Sequence, residues 1–180
     1  MSKLTIYVDH QPEQTLATME DGQEIAQALD AVGVRFERFT ANTPITEDMD
    51  QEAIIQAYES DITRLKAEEG YQTVDVVSMF PDHPQKDVFR AKFLDEHIHT
   101  EDEVRFFVRG QGLFCLHIAE KIYQVLCCQD DLISVPEGTP HWFDMGSQPE
   151  FTAIRLFNNT EGWVAHPTGS DVASRFPLLD

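Results

Sequence analysis

The sequence predicts an α+β fold in which helices in the first half of the chain precede an antiparallel β-barrel or sandwich. Apolar residues recur at helical spacing within the first 95 residues. Short segments rich in branched and aromatic residues follow one another between residues 104 and 157, separated by brief turns. A length of 180 residues fits a single domain with a substantial core.

The first half is punctuated by helix signals. Asp21-Gly-Gln-Glu24 resembles a capping box that opens a helix, and Gly70 is suited to the C-terminal cap of another. The predicted elements are strand 3–8, helix 21–33, strand 34–39, a long helix 46–69, strand 71–79 and a helix ending at residue 94. We therefore expect residues 1–95 to form a mostly helical N-terminal elaboration.

The second half alternates as a series of strands does. The predicted strands are 104–109, 113–118, 121–127, 132–135, 141–145 and 151–157. Residues 96–158 are expected to form the barrel core, and residues 159–180 a C-terminal tail over the surface of the same domain.

Composition excludes several classes of partner. The net charge of −19 would repel phosphate backbones and anionic membranes, so neither nucleic acid nor a membrane is an expected partner. No apolar run approaches the roughly 20 residues of a membrane span, and the N-terminus does not resemble a signal peptide. The three cysteines, Cys115, Cys127 and Cys128, have no disulfide-framework spacing, which favours a cytoplasmic location.

A cluster of metal-binding residue types lies near the middle of the chain. His97, His99 and Glu103 form a His-x-His-x-x-x-Glu pattern, and His141 follows in Pro-x-Gly-x-x-His. In an extended strand His97 and His99 point to the same side, so both can bind one ion. Three imidazoles and a carboxylate suit a first-row transition metal. The alternative for the first pair is a solvated acidic loop with two chance histidines.

These motifs, with Gly110, resemble the two motifs of the cupin superfamily. The longer strings HIHTEDEVRFFVRGQGLF and LISVPEGTPHWFDMG, together with GVRFERF and FTAIRLFNNTEGW, resemble the acireductone dioxygenase family. The resemblance implies a cupin-type antiparallel jelly-roll barrel with N-terminal helices packed outside. It also implies one Fe²⁺ or Ni²⁺ per chain. Asp130 departs from the cupin pattern, which often has glycine there.

The same resemblance implies a function. The enzyme would cleave acireductone, 1,2-dihydroxy-5-(methylthio)pent-1-en-3-one, with dioxygen and would incorporate both oxygen atoms into this one substrate. The reaction belongs to methionine salvage, and the protein would act as a monomer in the cytoplasm. The iron form would give 4-methylthio-2-oxobutanoate and formate, and the nickel form 3-methylthiopropionate, formate and carbon monoxide. The alternatives are another cupin enzyme, such as a flavonol dioxygenase or a sugar isomerase, and a non-catalytic metal-binding cupin.

Several further residues are candidates for the site. The resemblance nominates as substrate contacts Phe93, Arg105, Phe143, Arg155 and Trp163. Arg105 shares the strand face of Glu103 and is the candidate catalytic residue, with a structural ion pair as its alternative role. Glu96 is predicted to orient a ligand imidazole. His83 is expected to be solvated, and His117 to be a core or surface histidine rather than a fifth ligand of the metal.

Overall fold

The computed structural model describes residues 1–40, 43–159, 161 and 164–180. Within these residues the chain forms eleven β-strands and four α-helices. The strands are β1 (Lys3–Val8), β2 (Gln11–Met19), β3 (Arg35–Arg38), β4 (Thr73–Met79), β5 (His97–Ile98), β6 (Glu103–Ile118), β7 (Lys121–Cys128), β8 (Asp131–Val135), β9 (His141–Asp144), β10 (Phe151–Phe157) and β11 (His166–Pro167). The helices are α1 (Gly22–Asp30), α2 (Gln51–Ala57), α3 (Glu59–Glu69) and α4 (Lys86–Leu94).

The strands form two sheets that share β6. One sheet has the order β11-β5-β9-β6-β7-β1-β2, and the other has the order β4-β10-β6-β8-β3. Every pairing between these strands is antiparallel. The predicted α+β fold with an antiparallel barrel is therefore confirmed.

The shared strand β6 bends at Gly110. Its backbone φ is +70°, and a Cβ atom there would lie 1.8 Å from the carbonyl oxygen of Glu150, so only glycine fits. The sequence predicts two strands here, but the chain continues through the bend as one strand of 16 residues. The inward face changes parity across it: Phe107 before the bend and Phe114 after it both belong to the barrel interior.

Apolar side chains form three clusters that fix the layers of the fold. The largest fills the space between the sheets and includes Phe107, Leu116 and Ile133. A second packs α2 and α3 against the outer face of the β4–β10–β6–β8 sheet. In the third, Phe176 and neighbouring residues of the C-terminal segment cover the outer face of the other sheet. None of the helices in the described part of the chain is both long and apolar enough to cross a membrane.

One N-terminal prediction is wrong, and one strand was not predicted. The long helix predicted over residues 46–69 begins only after Asp50, whose side chain caps Ala53, and breaks at Tyr58. The Tyr58 ring is fully buried and packs edge-on against Phe106 at 4.6 Å, so tertiary packing overrides local helix propensity. Residues 1–95 also contain β2, a strand that the sequence did not predict, beside the predicted β1, β3 and β4.

Candidate metal centre

Four side chains converge between the two sheets. His97 lies in β5 and pairs with His141 at the start of β9, while Glu103 begins β6. One ligand atom from each of His97, His99, Glu103 and His141 lies within 4.8 Å of the others. Glu103 Oε2 lies 2.8 Å from His141 Nε2 and 3.0 Å from His99 Nε2. All four residues are at least nine-tenths buried.

Backbone carbonyls orient the three imidazoles. The Nδ1 atoms of His97, His99 and His141 lie 2.6, 3.2 and 2.8 Å from the carbonyl oxygens of Asp95, Val164 and Thr139, respectively. A carbonyl only accepts, so each Nδ1 is the donor, and a neutral ring then presents a lone pair at Nε2. The Nε2 atoms of two of the rings, His99 and His141, lie within hydrogen-bond distance of Glu103.

The two sequence motifs are tied together through their loops. The backbone N–H of Gly138 donates to the carbonyl of His99 at 2.9 Å, and the N–H of Glu137 donates to Asp102 at 3.0 Å.

Asp130, at the position where cupins often have glycine, takes the left-handed backbone conformation with φ of 74°. The departure from the cupin pattern therefore leaves the turn geometry intact.

The centre is electrostatically coupled. Burial alone would raise the pKa of Glu103, but the charge of Arg105 and hydrogen bonds from His141 and His99 hold that pKa well below its usual range. Burial alone would lower the pKa of His141, and contact with Glu103 outweighs this and raises it. The pKa of His97 is lowered by burial and by the nearby His141. The carboxyl group is therefore ionised at neutral pH.

A cavity of about 620 Å³ opens onto three of the four residues. Its polar wall includes His97, His99, Glu103, Arg105 and Arg155, with Lys92 and His83 also lining it. Its apolar wall is formed by Val77, Met79, Phe89, Phe93, Phe107, Phe143, Phe151, Val164 and Ala165. Most ligand cavities combine such an apolar lining with a few polar groups that orient the ligand.

Two arginines lie side by side on the polar wall. Arg105 on β6 and Arg155 on β10 are register partners, and Asp75 on β4 is the next partner of Arg155. Arg105 Nη2 lies 3.1 Å from Glu103 Oε1. Arg155 forms a two-pronged ion pair with Asp75, in which Nε donates to Oδ1 at 2.7 Å. Each arginine thus has a carboxylate neighbour and still lines the cavity.

The structure brings together most of the predicted site residues. Phe93, Arg105, Phe143 and Arg155 line the same cavity as the histidine cluster. Trp163, the remaining predicted substrate contact, lies outside the described residues.

One prediction about a neighbouring residue is wrong. Glu96 does not form a hydrogen bond with a histidine of the cluster. Its carboxylate instead accepts hydrogen bonds from His117 Nδ1 at 2.8 Å and from the Thr168 hydroxyl at 2.7 Å. Backbone carbonyls orient the imidazoles instead. His83, which was expected to be solvated, is half-buried in the turn before α4 and lines the cavity beside Phe89, with ring centroids 5.6 Å apart.

Some cavity residues escaped sequence reasoning. Phe89 and Lys92 lie on α4 with Phe93, at the spacing of one helical face, which is a signal that could have found them. Phe151 on β10 also lines the cavity, and Asp75 on β4 is the ion-pair partner of Arg155; both fall outside the two histidine motifs and carried no such signal.

Comparison with known proteins places this geometry in context. Residues 3–165 match the model of the ARD/ARD' family. The acireductone dioxygenase of Pseudomonas paraeruginosa is 62% identical over 180 residues, covering 100% of this chain and 99% of that protein. The acireductone dioxygenase of Yersinia enterocolitica is 59% identical, with both chains fully covered. A solved structure, "Acireductone dioxygenase from Bacillus anthracis with cadmium ion in active center", superposes with a TM-score of 0.80 at 30% identity, covering 92% of this chain and 97% of that chain.

Proposed function

This chain belongs to the ARD/ARD' family, and we propose that it cleaves acireductone with dioxygen at the cluster of His97, His99, Glu103 and His141. The observation that carries the proposal is the convergence of these four side chains beside a cavity that bears two arginines. Relatives that match this chain over its full length are named acireductone dioxygenase. This name supports acireductone as the substrate, rather than a flavonol or a sugar.

The donor set fits the implied metal. Three imidazole nitrogens and one carboxylate oxygen suit iron or nickel, and the carbonyl bonds at Nδ1 leave Nε2 for an ion. His141 Nε2 and Glu103 Oε2 lie 2.8 Å apart, and a metal ion bound to both atoms would take the place of the proton that they share in its absence. One Fe²⁺ or Ni²⁺ ion per chain, held by these residues, would supply Lewis acidity and orient the two oxygens of the substrate's ene-diol.

The surrounding residues have separable roles in the proposal. Arg105 and Arg155 stabilise the negative charge of the bound ene-diolate. Arg105 does so from its position next to Glu103. Phe93 and Phe143 pack against the apolar part of the substrate and exclude water from the reacting carbons. Trp163 remains a candidate for the same wall.

The remaining parts of the proposal follow from the family resemblance. We propose that the iron form gives 4-methylthio-2-oxobutanoate and formate, and that the nickel form gives 3-methylthiopropionate, formate and carbon monoxide. The setting is methionine salvage in the cytoplasm, and the chain acts as a monomer. The net charge of −19 supports the absence of nucleic-acid and membrane partners.

Oxygen uptake tests the proposed function. The iron-loaded protein should consume dioxygen when acireductone is added, well above the rate without protein, and should not do so with quercetin. A protein that oxidises quercetin but not acireductone would instead be a different cupin oxygenase. A metal-loaded protein that consumes no dioxygen with either compound would be a cupin without oxygenase activity, either a sugar isomerase or a non-catalytic cupin.

A further inference from the structure

Gly112 occupies a position on β6 where a side chain would collide with the cavity wall. A Cβ atom there would lie 2.4 Å from Cζ and 2.5 Å from Cε2 of Phe143, and 3.2 Å from Cε1 of Phe107. Its backbone φ is not among the positive values found at other glycines. Glycine is therefore needed here for the close approach of an aromatic ring and not for backbone conformation.

The ring that approaches Gly112 belongs to a cavity residue. Phe143 follows His141 by two residues on β9, so both side chains lie on the same face of that strand. The centroid of its ring lies 4.9 Å from that of Phe114 and 5.6 Å from that of Phe151. The Phe93 ring, 6.2 Å away, is its neighbour in the cavity wall. The position of Phe143 thus bounds the apolar part of the cavity next to the histidine cluster.

A methyl group at position 112 would displace this ring into the cavity. Moving Cζ of Phe143 from 2.4 Å to an ordinary contact of 3.4 Å requires a shift of about 1 Å. Phe107 and Phe114, on the interior side of the ring, are completely buried and belong to the close-packed core. The cavity is the adjoining space that is not filled by side chains, so the ring would move there.

We propose that Gly112 is a specificity-determining residue, which sets the length of the apolar substrate tail that the cavity accepts by leaving room for the Phe143 ring. The inference rests on the proposed function, because the ene-diol end of an acireductone is assigned to the histidine cluster and the arginines. The tail attached to the ketone then extends along the aromatic wall. A side chain at position 112 shortens that space without touching the histidine cluster.

The test compares two acireductones that differ only in their tails, one with methyl and one with methylthioethyl. In Gly112→Ala, kcat/KM for the methylthioethyl compound should fall about 10- to 100-fold, the range for steric discrimination of small apolar groups. The value for the methyl compound should stay within about threefold, since a short tail does not reach the displaced ring. Metal content and the circular dichroism spectrum should match those of the wild type.

Two further variants isolate the role of the ring. Phe143→Leu removes the ring atoms that a Cβ at position 112 would meet, so adding it to Gly112→Ala should restore much of the lost preference for the longer tail. By itself, Phe143→Leu should shift the preference toward tails longer than methylthioethyl, and this measurement remains decisive if Gly112→Ala fails to fold. Gly22→Ala is the matched control, because its Cβ would meet only the flexible Arg38 side chain at 3.3 Å and its φ is not positive.

The outcomes separate this inference from the proposed function. If the wild type turns over neither compound, the proposed function fails. If the wild type turns over both, equal losses for the two compounds in Gly112→Ala, or no loss for either, would overturn the role of Gly112. An unchanged tail preference in Phe143→Leu would overturn it as well.

Discussion

Replacing Arg105 by leucine removes the positive charge closest to Glu103 on the cavity wall. The Arg105 side chain is 19% exposed, and its Nη2 atom lies 3.1 Å from Glu103 Oε1. Burial lowers the pKa of Arg105 to about 10, although the neighbouring Glu103 opposes this effect. A pKa of about 10 keeps the guanidinium protonated at neutral pH, so it is available to an anionic substrate.

The expected loss is one charge-assisted hydrogen bond, worth about 1.5–3 kcal/mol. This corresponds to a roughly tenfold to hundredfold weaker affinity of Arg105→Leu for acireductone, since about 1.4 kcal/mol is a factor of ten. Lysine should recover only part of the loss, because an ammonium lacks the planar fork of the guanidinium. The assay is an anaerobic titration of the metal-loaded variant, followed through the spectrum of the bound substrate.

Arg109→Leu is the matched control on the same strand. Arg109 pairs with Glu47 at 2.8 Å and Glu150 at 3.0 Å, away from the cavity, so its loss should leave substrate affinity unchanged. The metal content of Arg105→Leu should remain near one ion per chain. Wild-type affinity in Arg105→Leu would refute its substrate role and leave Arg105 as a structural partner of Glu103.

The other predictions concern the metal, the products and the core. Wild-type protein should contain about one metal ion per chain, and the double variant His97→Ala/His141→Ala should lose most of the metal and the activity, because affinity depends on ligand number; full occupancy by elemental analysis would exclude these ligands. Apoprotein reconstituted with iron or with nickel should consume the same substrate, and gas analysis should detect carbon monoxide only from the nickel form; identical products would contradict this. Phe106→Ala should lower the free energy of unfolding by about 3–5 kcal/mol, because Phe106 is fully buried. Val88→Ala, at a side chain 68% exposed, should change it by less than about 0.5 kcal/mol; equal effects in denaturant titrations would contradict the packing argument.

The local parts of the site were predictable because they depend on strand parity. The two-residue spacing of His97 and His99 and the odd-numbered face of Glu103 and Arg105 follow from alternation along an extended chain. The structure preserves this alternation as far as Val108, and the pairing of β6 with β10 is irregular between Phe107 and Arg109, just before the bend at Gly110. Strand parity beyond the bend therefore could not be counted from the motif.

The long-range parts of the site were not predictable in this way. Arg155 and Asp75 are 80 residues apart and meet only because β4 and β10 are neighbours. The orientation of His99 likewise depends on a carbonyl 65 residues later in the chain. Strand β2 was missed because more than half of its residues are exposed and none is fully buried, so no apolar alternation marked it.

Anomalous diffraction from crystals of the nickel-loaded protein tests the central claim most directly. We expect one strong nickel peak per chain, at about 2.0–2.2 Å from the imidazole nitrogens and the carboxylate oxygen, the usual bond lengths of such ligands to a first-row ion. The bonded atoms should be Nε2 of His97, His99 and His141 and an oxygen of Glu103. A nickel peak elsewhere, with these four side chains uncoordinated, would contradict the assignment of the centre and of the chemistry built on it.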